Sequence, residues 1–169
     1  MVKFAAVLEY DGTDFCGFQF QPGVIRTVQG EIIKAFHKRL KSFDEFSYAG
    51  RTDTGVHARH QVISFTTDEK LDLYRFKWQM NCLLPDDIVI KKIERIENSF
   101  DARKSARLRQ YSYFIVNDNY QSVFLKKYSL LVTKKLIEEH HGTIDVMSAL
   151  NKGTTFVVTL PFKEAQKGS

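Results

Sequence analysis

The sequence contains little cysteine: Cys16 and Cys82 are the only two in 169 residues. They form no Cys-x-x-Cys motif and lack the spacing of a zinc site, which favours a reducing cytoplasm as the location. Around the adjacent His140 and His141, no cysteine or carboxylate has the spacing that is typical of a metal-binding motif. We therefore expect no metal site.

Long hydrophobic runs are also missing. The short apolar run at the start of the chain is broken by Glu9 and Asp11, which argues against both a signal peptide and a membrane span. There are no internal repeats and no low-complexity tract. Hydrophobic residues make up 43% and charged residues 27% of the chain, so the composition is that of a folded globular protein. The net charge of +5 suits a polyanionic partner, although many proteins without one are as basic.

Periodicity predicts the order of the elements up to about residue 117. Alternating apolar residues indicate strands, and apolar residues four apart indicate helices. Thr27 and Asp72 are candidate helix caps. The predicted elements are a strand over 4–10, a helix with the stripe Val28, Ile32, Phe36 and Leu40, strands over 46–49 and 61–66, a helix over 72–82, and strands over 88–96 and 109–117. This order predicts an α+β fold, a ferredoxin-like βαββαβ antiparallel sheet with two helices on one face.

The pattern changes near residue 130. A helix is predicted over 133–141, with Gly142 suited to its C-terminal end. Two strands, over 143–147 and 154–160, are predicted to be joined by a turn at Asn151-Lys152-Gly153. We therefore expect a C-terminal helix and β-hairpin in addition to the sheet.

The segment richest in chemistry is Gly-Arg-Thr-Asp-Thr-Gly-Val-His, residues 50–57. Two glycines bracket a loop that presents an arginine, a carboxylate and an imidazole. A carboxylate beside a cation stays ionised, and an ionised carboxylate in a water-poor pocket can act as a nucleophile. Taken alone, a shorter Thr-Asp-Thr-Gly would be better explained by a solvated turn.

The full motif resembles the signature of TruA-type tRNA pseudouridine synthases. The resemblance continues in the Glu-Tyr-Asp-Gly motif at 9–12, the Thr-Val-Gln at 27–29, the block at 81–88, and Phe100-Asp-Ala-Arg followed by Tyr111 and Tyr113. It extends over residues 3–130 in the family's order and spacing. It implies a synthase that isomerises uridine to pseudouridine at positions 38–40 of the tRNA anticodon stem-loop. No cofactor is implied, and the family's homodimers make a homo-oligomer an open expectation.

The resemblance also implies roles for individual residues. Asp53 would be the nucleophile, and Arg51 would help to flip and hold the target uridine. Tyr111 would stack on the extruded base, as an aromatic ring on a strand face can; core packing is the alternative. Further substrate-binding candidates are Gly50, Thr52, His57, Arg103 and Gln19. His57 could instead order the loop through hydrogen bonds. Seven lysines or arginines against three acids between Lys91 and Arg109 suit RNA phosphates, or form a solvated face.

Two features depart from the family. The second half that closes the family's catalytic cleft has no counterpart here, so we expect the isolated chain to be weak or inactive. Residues 131–162 instead resemble the end of a sensor histidine kinase ATP-binding domain, with Asn151-Lys152-Gly153-Thr154-Thr155-Phe156 similar to its final glycine box. This resemblance predicts a fusion of two fragments, 1–130 and 131–169. The first alternative to an enzyme is an RNA-binding remnant without turnover. An ATP-binding protein of the histidine-kinase type is the last alternative.

Overall fold

A computed structural model describes residues 1–23, 26–116, 118–131, 143–149 and 153–159. The chain divides into two compact units, Met1–Gln110 and Tyr111–Ser169, and each is described by itself below. None of the helices in the described ranges is both long and apolar enough to cross a membrane.

The first unit contains four strands and two helices in the order predicted from the sequence. Their bounds differ from the predicted ones mainly by longer strands at both sides of the 49–57 loop. The elements are β1 (Val2–Tyr10), α1 (Val28–Arg39), β2 (Asp44–Tyr48), β3 (Ala58–Thr67), α2 (Leu73–Leu83) and β4 (Ile88–Arg95).

The four strands form one antiparallel sheet with the order β2-β3-β1-β4. The long ladder between β1 and β3 pairs Val2 with Thr67 at one end and Tyr10 with Ala58 at the other. This is the strand order of a split βαβ arrangement, in which β3 lies between β1 and β2. The predicted ferredoxin-like α+β fold is therefore confirmed for the first unit.

Both helices begin at the predicted caps. The Thr27 hydroxyl accepts a hydrogen bond from the Gly30 amide at 3.2 Å, and the Asp72 carboxylate accepts one from the Arg75 amide at 3.0 Å. Each cap satisfies an amide that the first helical turn leaves without a backbone partner. The cap residues thus fix where α1 and α2 start.

The core lies between the helices and one face of the sheet. Strand alternation turns the even-numbered residues of β1 and the odd-numbered Ile63 and Phe65 of β3 toward the helices. The whole predicted stripe of α1 is buried, including its last residue, Leu40. Phe36 from that stripe packs edge-on against Phe65, with ring centroids 4.6 Å apart, so aromatic packing joins α1 to the sheet.

The second unit contains four described strands. β5 (Ile115–Val116) and β6 (Leu130–Leu131) pair in parallel, and β7 (Thr143–Ala149) and β8 (Gly153–Thr159) form an antiparallel pair. The predicted strand pair near the C-terminus is therefore present. The helix predicted over 133–141 and most of the predicted turn at 151–153 lie outside the described residues. The kinase-like origin of residues 131–169 and the boundary at residue 130 stay predictions.

The strand predicted over 109–117 is wrong in its extent, because only Ile115 and Val116 of the described residues 109–116 form a strand. Tyr111 and Tyr113 precede it and are 69% and 88% exposed. The alternating aromatic pattern is typical of a strand, but a strand also needs a neighbour with which to pair. Within the described residues, β5 pairs only with the two-residue β6, so the pattern alone overestimated its length.

Candidate active site

The 49–57 loop joins two adjacent strands of the sheet. β2 ends at Tyr48 and β3 begins at Ala58. The amide of Ala49 donates to the carbonyl of Val62 at 2.9 Å, which extends the strand pairing one residue into the loop. The loop therefore leaves the sheet from a fixed point.

A second segment, residues 10–18 from the end of β1 onward, supports the loop from the side. The Phe18 amide donates to the Thr52 carbonyl at 3.0 Å, and the Gly55 amide donates to the Phe15 carbonyl at 3.3 Å. These bonds lie on the two sides of Asp53 along the chain. The backbone that carries Asp53 is thus fixed both before and after it.

Glycines allow the two segments to approach closely. A Cβ atom at Gly17, which has a φ of +83°, would lie 2.9 Å from the Thr52 carbonyl oxygen. Gly55 has a φ of +77°, a conformation that favours glycine, and it turns the chain just after the carboxylate. Gly17 lies in the family-like stretch over residues 9–21, here named the first-strand motif, and Gly55 lies in the loop. The two glycines therefore serve one joint packing arrangement.

Asp53 lies at the tip of this loop with an exposed side chain. Its carbonyl accepts a hydrogen bond from the Val56 amide at 3.1 Å, which closes a turn. Among the described residues, its carboxylate has no ion pair. The carboxylate is thus held by its backbone and is accessible to a large partner.

Arg51 is also exposed. We expected its guanidinium to pair with Asp53, but the described part of the chain contains no ion pair between them. The reason is physical: two solvated side chains gain little from such a pair, because water screens the attraction and ordering them costs entropy. Arg51 and Asp53 therefore form no ion pair in the described structure, and the predicted contact of Arg51 with substrate stays a prediction.

His57 lies against the first-strand motif. Its Nδ1 atom is 3.1 Å from the Gly12 amide nitrogen and 3.0 Å from the Asp11 Oδ1 atom. Neutral imidazole can accept the Gly12 N–H at Nδ1, and a protonated Nδ1 can donate to Asp11. Either contact ties the end of the loop to the start of the 10–18 segment. This geometry favours the loop-ordering role over a substrate contact.

Three polar residues outside the predicted set of site residues support the start of the loop. The Tyr10 hydroxyl hydrogen-bonds the Thr52 hydroxyl at 2.7 Å. The Gln61 side-chain amide donates to the Gly50 carbonyl. Arg109 donates from Nη2 to the Ala49 carbonyl at 2.9 Å. The only sequence signal for these residues is their position inside or beside the family-like motifs.

Arg103 lies in a loop that is anchored on the sheet face opposite the helices. The Ala102 amide donates to the buried Ser64 hydroxyl at 3.2 Å. The Asp101 carboxylate accepts the Lys104 and Arg103 amides at 2.8 and 2.9 Å. These hydrogen bonds, that of Lys104 first, lower the pKa of Asp101. The Arg103 side chain is exposed, so a fixed turn presents a cation to solvent.

The remaining site candidates are placed as follows. Gln19 is half-buried between the buried Phe18 and Phe20, which is 53% exposed. Tyr111 belongs to the second unit. In the described ranges, no cluster of three or more histidine, cysteine, aspartate or glutamate side chains could hold a metal ion.

The chain matches known proteins over the segment that forms this site. The family model described as tRNA pseudouridine synthase matches residues 6–103. A tRNA pseudouridine synthase A from Pseudothermotoga lettingae is 41% identical over 136 residues, which cover 80% of this chain and 55% of that protein. One from Chlorobium phaeovibrioides is 47% identical over 109 residues, 64% of this chain and 45% of the relative.

A third relative aligns over the whole chain. The tRNA pseudouridine synthase A of Oceanobacillus iheyensis is 40% identical over 171 aligned positions, which cover 100% of this chain and 66% of the relative. The chain thus spans about half to two thirds of the length of these relatives. The family match includes β1 from Ala6 onward, the 49–57 loop and Arg103. The chain belongs to the tRNA pseudouridine synthase family.

Proposed function

We propose that this chain carries the nucleophile-bearing part of an enzyme that isomerises uridine to pseudouridine in the anticodon stem-loop of tRNA. Asp53 acts as the nucleophile, and Arg51 helps to hold the extruded nucleotide. The observation that carries the proposal is the 49–57 loop: its backbone is fixed on both sides of Asp53, while the carboxylate is exposed at the tip. A nucleophile needs this combination of accessibility and fixed position.

The chemistry fits a carboxylate without a cofactor. The bond between uracil N1 and ribose C1′ breaks, the base rotates, and uracil C5 bonds to C1′. The hydrogen on C5 leaves as a proton and N1 carries a proton in the product, so the reaction is balanced without an oxidant or reductant. The protein has to extrude the base from its stack, which costs energy that contacts to the RNA backbone offset.

The charge on the sheet face opposite the helices suits the RNA. Arg103, Lys104, Arg107 and Arg109 are exposed along one segment, and the first two are presented by the turn at Asp101. Cations that contact phosphates position a nucleic acid without reading its sequence. Tyr111, just beyond them in sequence, supplies the aromatic ring that would stack on the extruded base.

The test is release of tritium from C5 of uridine. A tRNA transcript with tritiated uridine is mixed with excess chain, so that one slow turnover is visible. A matched transcript carries cytidine at the anticodon-arm uridines and keeps its other labelled uridines. We expect slow release from the first transcript and none from the second. Release from both would contradict the proposed substrate position.

An RNA-binding role without turnover is the second candidate. The exposure of Asp53 favours it, because an open site loses the electrostatic advantage of a closed one. If the wild-type chain binds the transcript and releases no tritium, this second role replaces the first. Failure to bind the transcript at low salt would contradict both.

A further inference from the structure

Beneath the 49–57 loop lies a small buried polar network. Tyr10, at the end of β1, is 3% exposed, and its hydroxyl lies 2.7 Å from the Thr52 hydroxyl. Gln61, on β3, is 7% exposed and donates from its side-chain amide to the Gly50 carbonyl. Gln61 also lies near enough to the Tyr10 hydroxyl to lower its pKa. The side chains of Tyr10, Thr52 and Gln61 therefore lie together beneath the loop.

The network holds the two neighbours of Arg51 in the chain. Gly50 is fixed through its carbonyl and Thr52 through its hydroxyl. Thr52 is held a second time, because its carbonyl accepts the Phe18 amide. The residues before and after Arg51 are therefore both held by hydrogen bonds, and Asp53 follows directly after Thr52.

The protonation of Tyr10 suits this role. Burial raises the pKa of Tyr10 above its usual 10.0, and the hydrogen bond with Thr52 and the nearby Gln61 side chain only partly oppose it. The phenol thus keeps its proton at physiological pH and remains a donor. A buried polar group is costly unless it has a partner. Here the partners are groups of the loop itself, so any displacement of the loop breaks hydrogen bonds in the core.

We propose that Tyr10, Thr52 and Gln61 are positioning residues that set the place of the Arg51–Asp53 segment without contacting the substrate. This rests on the proposed function for its catalytic consequence only. It gives Thr52 a supporting role in place of the substrate contact implied by the family resemblance. Positioning of this kind acts on the rate, because a small displacement of a reacting group lowers the rate steeply.

The test compares variants that remove one hydroxyl from the network. Tyr10→Phe and Thr52→Val each remove one, and Thr52→Ser keeps it. The matched control is Thr67→Val, because Thr67 is 1% exposed and its hydroxyl donates to the Ser42 carbonyl at 2.8 Å. Thr67 lies at the opposite end of the β1–β3 ladder. The control thus removes a buried hydroxyl that is remote from the loop.

Two readouts are taken on each variant. In hydrogen exchange, the amides of residues 50–57 should exchange at least about tenfold faster in Tyr10→Phe and Thr52→Val, and not in Thr67→Val. In tritium release with excess chain, the first two should be about 10- to 100-fold slower at saturation, with half-saturating concentrations within about twofold of wild type. Thr52→Ser, which keeps the hydroxyl, should give wild-type values for both exchange and tritium release.

The outcomes separate this proposal from the proposed function. Loop exchange unchanged in Tyr10→Phe and Thr52→Val overturns the positioning role, whatever the activity. Faster loop exchange with an unchanged release rate overturns its catalytic consequence. If the wild-type chain releases no tritium but the loop amides still exchange faster in the two variants, the result supports the positioning role. The same result contradicts the synthase activity. A Thr67→Val variant as slow as Tyr10→Phe would attribute the loss to general destabilisation and also overturn the proposal.

Discussion

Gly12 packs directly against the backbone of Val56: a Cβ atom at Gly12 would overlap the Val56 carbonyl group. The clash is with backbone, which cannot rotate away as a side chain can. The first-strand motif and the 49–57 loop can therefore pack together only if residue 12 has no side chain. The two motifs are 44 residues apart along the chain (Gly12 to Val56) and meet as one structure.

Replacing Gly12 by alanine should displace the loop and destabilise the fold. Overpacking against rigid groups costs about 1–3 kcal/mol, and we expect the upper part of that range here. Chemical denaturation measures the change. The matched control is Gly50→Ala, whose Cβ would meet Arg109 only at 3.5 Å, an ordinary contact. Its stability should stay within about 0.5 kcal/mol of wild type. Equal stability losses in the two variants would contradict the close packing.

Arg103 tests whether the face opposite the helices binds RNA. Arg103→Gln should weaken binding to a tRNA transcript and reduce the slope of log affinity against log salt by about 0.7–0.9, the value for one lost phosphate contact. The control is Lys38→Gln, which removes the same charge from an exposed position on α1. Filter binding at several salt concentrations measures both. If both variants reduce the slope of log affinity against log salt by the same amount, the RNA does not bind preferentially to the face opposite the helices.

Asp101 should make stability depend on pH at the acidic end. Its pKa is lowered in the folded chain, first by the Lys104 amide, so its contribution is present above the usual pKa of 3.8 and is lost as the pH falls through the folded value. At neutral pH, Asp101→Asn should cost about 1 kcal/mol, because a neutral amide oxygen accepts the two backbone N–H groups less strongly than a carboxylate does.

The difference between wild type and Asp101→Asn should shrink as the pH is lowered below the usual range of the carboxyl group. Denaturation at a series of pH values measures it. Asp86→Asn is the control, because Asp86 is exposed and the substitution changes charge alone. A difference that is constant from neutral to acidic pH would contradict the role of the Asp101 charge.

Most of the fold followed from local signals in the sequence. The α1 stripe and the caps Thr27 and Asp72 depend on residues within one or two turns, and the structure confirms them. The extent of the strand at Tyr111 could not be predicted, because it depends on a partner strand. The same limit applies to the site. Tyr10 and Thr52 are 42 residues apart in the chain, and no periodicity shows that they meet.

The motif identified the loop but not its internal contacts. Asp53 and Arg51 are two residues apart in the signature, which suggested an ion pair, yet both side chains are exposed. Whether the two side chains form an ion pair depends on their exposure to water, and that exposure depends on how the loop packs on the sheet. Arg109 was grouped with the basic residues, whereas its guanidinium contacts the Ala49 carbonyl. Sequence patterns thus give the chemical groups, and the tertiary contacts give their orientation.

The central claim is that the Asp53 carboxylate is the nucleophile. The direct measurement is single-turnover tritium release from a tRNA transcript by wild type and Asp53→Asn, at equal folded fractions established by circular dichroism. Because Asp53 is exposed, the substitution should leave stability nearly unchanged. We expect release by Asp53→Asn to fall at least about a thousandfold, since removing a nucleophile removes the covalent route. Release by Asp53→Asn within about tenfold of wild type would contradict the account.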